Sequence, residues 1–241
     1  MDSLNRAPGS LHPPSQVPAQ VSERDSAARI AGSLLVLTAL ITAVSAVTRV
    51  SADTDFQPSL QDTLDAVSLQ SGLYGFGGAA RLLSGVTLGA AAWCLLRTWI
   101  IRLRLGSPLI PALSVVSGVF TAVSGLCAVI LAVAAPETNP LIEFSALIRW
   151  LSGKIGFAIA GLALAVASRF QWRAGGALRF IAPASGMLGL AMQFIWIDSA
   201  TVAHPIVGAA FFLWLLAFGS MLFTGRTEEP LRRMVDSHSP T

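Results

Sequence analysis

Lysine is almost missing from this chain: Lys154 is the only one in 241 residues. Histidine is scarce as well. His12, His204 and His238 are all there are, and two of the three lie near the chain ends. No grouping of His, Cys, Asp and Glu has metal-ligand spacing, so no metal site is expected. A haem held by two histidines inside the chain is excluded unless another chain supplies a ligand. Two cysteines, Cys94 and Cys127, fall at different depths of separate apolar runs, so they do not form a disulfide framework and do not reveal the compartment. The phosphate-cradling, nucleophile-elbow and zinc-helix motifs are missing. Gly75-Phe-Gly77-Gly78 is glycine-rich but has no strand–helix context. Nothing therefore points to an enzyme or a cofactor; a retinal Schiff base on Lys154 would lack an intramembrane carboxylate counter-ion.

Charge is the largest deficit. Only 12% of residues are Asp, Glu, Lys or Arg, whereas 54% are hydrophobic. An ordinary soluble domain is about one-quarter charged. The net charge of +3 does not imply nucleic-acid binding, because the basic residues are scattered and not interleaved with aromatics.

What is present is a series of long apolar blocks. Crossing a hydrocarbon core about 30 Å thick takes about 20 apolar residues in a helix. Six such blocks predict an all-α, polytopic membrane protein. The spans are expected at about 30–48, 74–99, 109–134, 149–168, 180–197 and 205–223. Residues 1–28, rich in Pro, Ser and Gln, read as a disordered tail, and 225–241 as a second polar tail. The first is too long and too mixed in charge for the leading part of a cleaved signal peptide.

Between the first two spans, residues 49–72 carry Asp53, Asp55, Asp62 and Asp65. Ser59-Leu-Gln-Asp62 resembles a capping box, and Leu60, Leu64 and Val67 follow at helical spacing. A short amphipathic helix on the outer surface is expected there. The glycines that open span two predict an irregular outer end. Ser107-Pro108 reads as the cap and first-turn proline of span three. Loop 135–148 is expected to dip Leu141, Ile142 and Phe144 into the interface.

Small and hydroxyl residues line one face of nearly every span, as at close contacts between membrane helices. Thr38, Thr42 and Ser45 share a face in span one. Gly85, Gly89 and Ala92 follow Arg81 in span two. Ser114, Ser117, Gly118, Thr121, Ser124 and Gly125 run through span three, which is accordingly expected at the bundle centre. Ala158, Gly161 and Ala165 follow Lys154 in span four, and Ala182, Gly186 and Gly189 precede Gln193 in span five.

Arginines fix the expected orientation. Three each belong to the N-terminal tail, loop 97–108, loop 169–179 (where Gln171 and Trp172 also lie) and the C-terminal tail, counting Arg29 and Arg179 at their boundaries. The opposite loops hold Arg49 and Arg149 at helix ends. The positive-inside rule then places both termini in the cytoplasm of a cell whose inner (plasma) membrane holds the protein.

One constellation of candidate site residues remains. Arg81, Lys154 and Gln193 lie about one turn inside the outer boundary, and Glu143, Arg149, Asp198 and His204 just beyond it. An intramembrane charge costs on the order of 3 kcal/mol, so the cations need partners. Two readings fit. One is an outward-facing polar pocket, with Asp198 or Glu143 as counter-ions or an anionic small molecule in that role. The other is a structural set of ion pairs, with Lys154 snorkelling to the headgroups.

Ala28-Arg-Ile-Ala-Gly32 entering span one, an outer loop of about 25 residues, and Ala80-Arg-Leu-Leu-Ser-Gly-Val-Thr-Leu-Gly89 resemble bacterial six-span inner-membrane proteins known only as a domain of unknown function. The likeness covers the layout of the spans and not the tails, and it implies no function or functional residues. On the residues, the expected function is a non-catalytic accessory or scaffold subunit of a membrane complex, with the bilayer and other membrane subunits as partners. The alternative is a small transporter or ligand-binding membrane protein using the outer pocket.

Overall fold

A computed structural model describes residues 25–51, 59–104, 106–137, 139–194 and 203–236, with the side chains of 50, 203, 204 and 234–236 excepted. The described residues are helical, without a strand. In chain order the helices are α1 (Ser26–Ser51), α2 (Leu60–Leu69), α3 (Ser71–Leu96), α4 (Trp99–Arg102), α5 (Leu109–Ala134), α6 (Pro140–Ala174), α7 (Gly176–Ala191), α8 (Ala203–Phe223) and α9 (Glu228–Asp236).

Five of them are long and apolar enough to cross a membrane: α1, α3, α5, α6 and α8. Their outward faces carry large apolar side chains such as Val47, Val119 and Leu213. Such faces suit hydrocarbon, so the chain is a multi-pass, membrane-embedded protein. The expected fifth span is the exception. α7 has 16 residues, roughly 24 Å of helix, and residues 195–197 of the expected span lie outside the described residues.

Several boundaries depart from expectation for identifiable reasons. α1 begins at Ser26 and not after a tail ending at 28, because Asp25 caps it: its carboxylate accepts from the Ala27 and Ala28 amides at 2.9 and 3.4 Å. Most of the expected loop 135–148 is helix. Asn139 Oδ1 accepts from Leu141 and Ile142 N at 3.0 and 3.1 Å, and Pro140 occupies the first turn. That start extends α6 to 35 residues, roughly 52 Å. Ile142 turns inward to be buried, while Leu141 and Phe144 face out.

The glycine-rich start of α3 is regular helix. Its glycines serve closeness: a Cβ on Gly77 would meet Thr48 Oγ1 at 2.6 Å, and one on Gly78 the Ala128 Cβ at 2.9 Å. The C-terminal tail also folds in part. α9 is braced by i,i+4 pairs Glu228–Arg232 and Glu229–Arg233 and rests Pro230 on Gly176. The α2 expectation holds: Ser59 accepts from Asp62 N at 3.1 Å, and Leu64 and Val67 are buried with Tyr74, Leu131 and Ile142.

The long helices run alternately up and down, each packed on the next as far as α7. α8 returns to pack against α1, so the six form a ring whose α7–α8 joint is thin. α5 lies between α3 and α6 within this ring and is not a central hub. The joints are close because small residues meet there. A Cβ on Gly85 would lie 2.4 Å from Ala122 N, and one on Gly189 2.5 Å from Gly161 O. One on Gly32 would lie 2.6 Å from Gly219 O. Hydroxyls stitch α1 to α3. Thr42 Oγ1 pairs with Ser84 Oγ at 2.7 Å, Thr38 Oγ1 with Thr87 Oγ1 at 2.8 Å, and Ser45 Oγ donates to Gly77 O at 3.0 Å. The arginine-rich ends of all six helices lie together with α4 and α9; α2 lies at the other end.

Candidate functional site

The expected outer constellation is divided by the fold. Arg81 is half-buried, and its guanidinium sits over Gly153: a Cβ there would lie 2.9 Å from Arg81 Nη2 and 3.1 Å from Ser124 Oγ. Arg149, one turn before Gly153 on α6, places its guanidinium 5.1 Å from the centre of the Tyr74 ring. Ser124 Oγ donates to Arg149 O at 2.9 Å. Arg81 and Arg149 thus share the junction of α3, α5 and α6.

Lys154 and Gln193 face elsewhere. The Lys154 ammonium lies 4.3 Å from the centre of the outward-facing Trp150 ring. Gln193 Nε2 donates to Ala158 O at 3.0 Å and to Gly189 O at 3.1 Å, tying α7 to α6. Glu143 is exposed on the first turn of α6. Asp198 lies outside the described residues; His204 belongs to α8, and its side chain is not described.

The structure instead forms a cavity at the opposite, arginine-rich end of the ring, of about 160 Å³. Each of the six ring helices gives it an apolar wall residue: Leu35, Leu88, Pro111, Leu164, Leu178 and Leu215. It reaches from the level of Ser117 and Ala160 to that of Ser107 and Gln171, roughly 15 Å along the helices. None of Arg81, Glu143, Arg149, Lys154 or Gln193 lines it.

The mouth is closed over by α4 and α9. The second oxygen of Asp25 accepts from Trp99 N at 2.9 Å, which fixes α4 against the start of α1. Buried Glu228 accepts from Asp25 N at 3.2 Å and pairs with Arg232 at 3.5 Å. Leu231 of α9 faces the cavity. The carboxylates at the mouth are therefore spent on holding the cover in place.

Most polar groups on the wall are also engaged. Thr98, Ser114 and Ser117 donate to Leu95, Ile110 and Gly156 carbonyls at 2.7, 3.0 and 2.7 Å. Gln171 differs. It is 3% exposed, and its Oε1 accepts no hydrogen bond among the described residues. It ends the buried stripe Ala160–Leu164–Ala167–Gln171 on α6. A buried carbonyl without a donor costs about 1–3 kcal/mol, so an amide in this place implies something that hydrogen-bonds to it.

Sequence reasoning placed Gln171 among the polar residues marking the inner end of span four and did not give it a role. The signal was its register: it stands one turn beyond Ala167 on a face otherwise small and aliphatic. No group of three or more metal-ligating side chains occurs among the described residues. The chain matches no family model, no curated protein and no solved structure.

Proposed function

We propose that this is a ligand-binding protein of the inner membrane that holds the apolar part of a small amphiphile in the cavity at its arginine-rich end. In this reading α7, continued by the residues after it, is a sixth span, and both termini with the cavity mouth are cytoplasmic. The even number of passes, the arginine distribution and the layout-level resemblance to six-span proteins support that arrangement.

The observation that carries the binding reading is an enclosed apolar space with one buried, hydrogen-bond-deficient amide in its wall. Aliphatic cavities of about 150 Å³ stay dry and take up small hydrocarbons, so a space of this kind favours an apolar guest over water. The accessory-subunit reading drew its support from small-residue faces in excess of what one bundle needs. Those faces are consumed within the chain, at α3–α5, α6–α7 and α1–α8.

The test is native mass spectrometry of the protein released from lipid nanodiscs. Wild type should carry a small amphiphile, and Leu88→Trp, which fills the cavity from α3, should lose it while keeping its melting temperature within a few degrees. Equal adducts on both proteins would sink the reading.

A further inference from the structure

The polar character of the guest follows from what the cavity offers it; this inference rests on the binding reading above. Three features bear on it. The wall is apolar throughout its depth, the mouth carries two carboxylates, and the free acceptor is the Gln171 carbonyl.

Each excludes a headgroup. An ionised carboxylate or phosphate would bring an acceptor to an acceptor, and a negative charge to Asp25 and Glu228. Neither carboxylate can be recruited to bind an ammonium without giving up what it holds. Asp25 serves the amides of Ala27, Ala28 and Trp99. Glu228 serves Asp25 N and Arg232. An ammonium placed at Gln171 would be an ion in an apolar wall, facing a neutral amide, and the desolvation cost is prohibitive. A group that only accepts, such as an ether, leaves Oε1 as it is. A neutral donor remains, and the commonest one on an apolar chain is a hydroxyl.

We infer that the cavity selects an amphiphile with one apolar chain and an uncharged hydroxyl headgroup, and that Gln171 reads that headgroup by accepting its hydrogen bond. The chain lies between the six wall residues, with the hydroxyl toward the mouth at the depth of Gln171. A free long-chain alcohol and the glycerol end of a monoacylglycerol share this chemistry.

Brominated alkyl chains quench indole fluorescence on contact, and Trp214 and Trp99 line the cavity. The protein in nanodiscs is titrated with chains of one length bearing four headgroups: alcohol, methyl ether, carboxylate and ammonium. The Trp214→Phe variant identifies the share of quenching that arises in the cavity. The alcohol should bind about tenfold tighter than the ether or more, since the difference is one buried hydrogen bond. In Gln171→Leu this advantage should vanish, while ether binding stays within about twofold and thereby shows that the variant is folded. The monoacylglycerol of the same chain, run beside the alcohol, assigns the source: tighter binding of the glyceride makes it a lipid headgroup, and tighter binding of the alcohol a free alcohol.

Equal binding of alcohol and ether to wild type overturns the headgroup inference and leaves the cavity reading standing. Tightest binding by the ammonium or the carboxylate overturns it too, and assigns the selection to charge at the mouth. If no headgroup gives cavity quenching, the binding reading itself falls.

Discussion

The α3–α5 joint makes two glycines on facing helices opposite in consequence, although the sequence places both on small-residue faces. A Cβ on Gly125 would lie 2.2 Å from Leu82 N and 2.7 Å from Gly78 O. Ordinary contact begins at 3.4 Å, so Gly125→Ala leaves a shortfall of about 1.2 Å against backbone, which has no rotamer with which to yield. The helices must part. A gap of up to 1 Å forfeits as much as half of each atom–atom attraction of 0.1–0.2 kcal/mol, so on the order of thirty pairs lose about 2 kcal/mol. That agrees with the about 1–3 kcal/mol typical of overpacking. A Cβ on Gly89 would meet nothing within 4 Å, so Gly89→Ala keeps the packing and gains up to about 1 kcal/mol of helix propensity. The two variants should differ by about 3 kcal/mol, roughly a hundredfold in the folded-to-unfolded ratio. Reversible unfolding in mixed micelles, or steric trapping in bicelles, measures this directly. Equal stability of the two, or a less stable Gly89→Ala, would refute the packing argument.

Two further outcomes are expected. Asp25→Ala removes the cap of α1 and the carboxylate that holds Trp99 N, which should cost about 1–2 kcal/mol and speed amide hydrogen exchange at Trp99–Arg102 more than at Leu109–Ala134. Topology is tested with Cys94 and Cys127 replaced by serine. An impermeant maleimide should label Gln61→Cys on intact cells and leave Thr224→Cys unlabelled until the membrane is opened; the reverse pattern would invert the proposed orientation.

Much of the helical layout could be read from the residues, because each apolar run is long and each stop is chemical. Span three is met at both ends, Leu109 and Ala134. α2 was legible because a cap and an i, i+4, i+7 pattern coincide at Ser59 to Val67. The longer reach of α6 was not. Its extra turns begin at Asn139-Pro140 and are amphipathic, and a hydropathy argument tuned to bilayer thickness stops where the polar face starts. α9 escaped for the same reason: Glu228 to Arg233 looks like solvated charge until Pro230 and Leu231 find Gly176 and the cavity beneath them.

The polar constellation shows the limit of depth as a guide. Arg81, Lys154 and Gln193 have similar depth but different azimuth. Azimuth depends on which neighbour each helix faces, which pairwise contacts decide. The cavity lay beyond sequence reasoning because six helices each contribute a leucine or proline to it, and those residues are indistinguishable from ordinary core. Gln171 alone broke the pattern.

The thin joint between α7 and α8 has a mechanical consequence. The other five joints around the ring are long, and three of them interlock through glycines whose backbones nearly touch. Across α7 and α8 runs the hydrogen bond from Trp214 Nε1 to Ser185 Oγ, at 2.8 Å, with little packing beside it. Such a bond contributes about 1 kcal/mol net, so breathing of the bundle concentrates there. That gap opens sideways, into hydrocarbon, whereas the end of the bundle stays roofed by α4 and α9. Solutes dissolved in the bilayer then have the shorter road to the interior, and their rate of entry is set by how well they partition into lipid and not by their concentration in water.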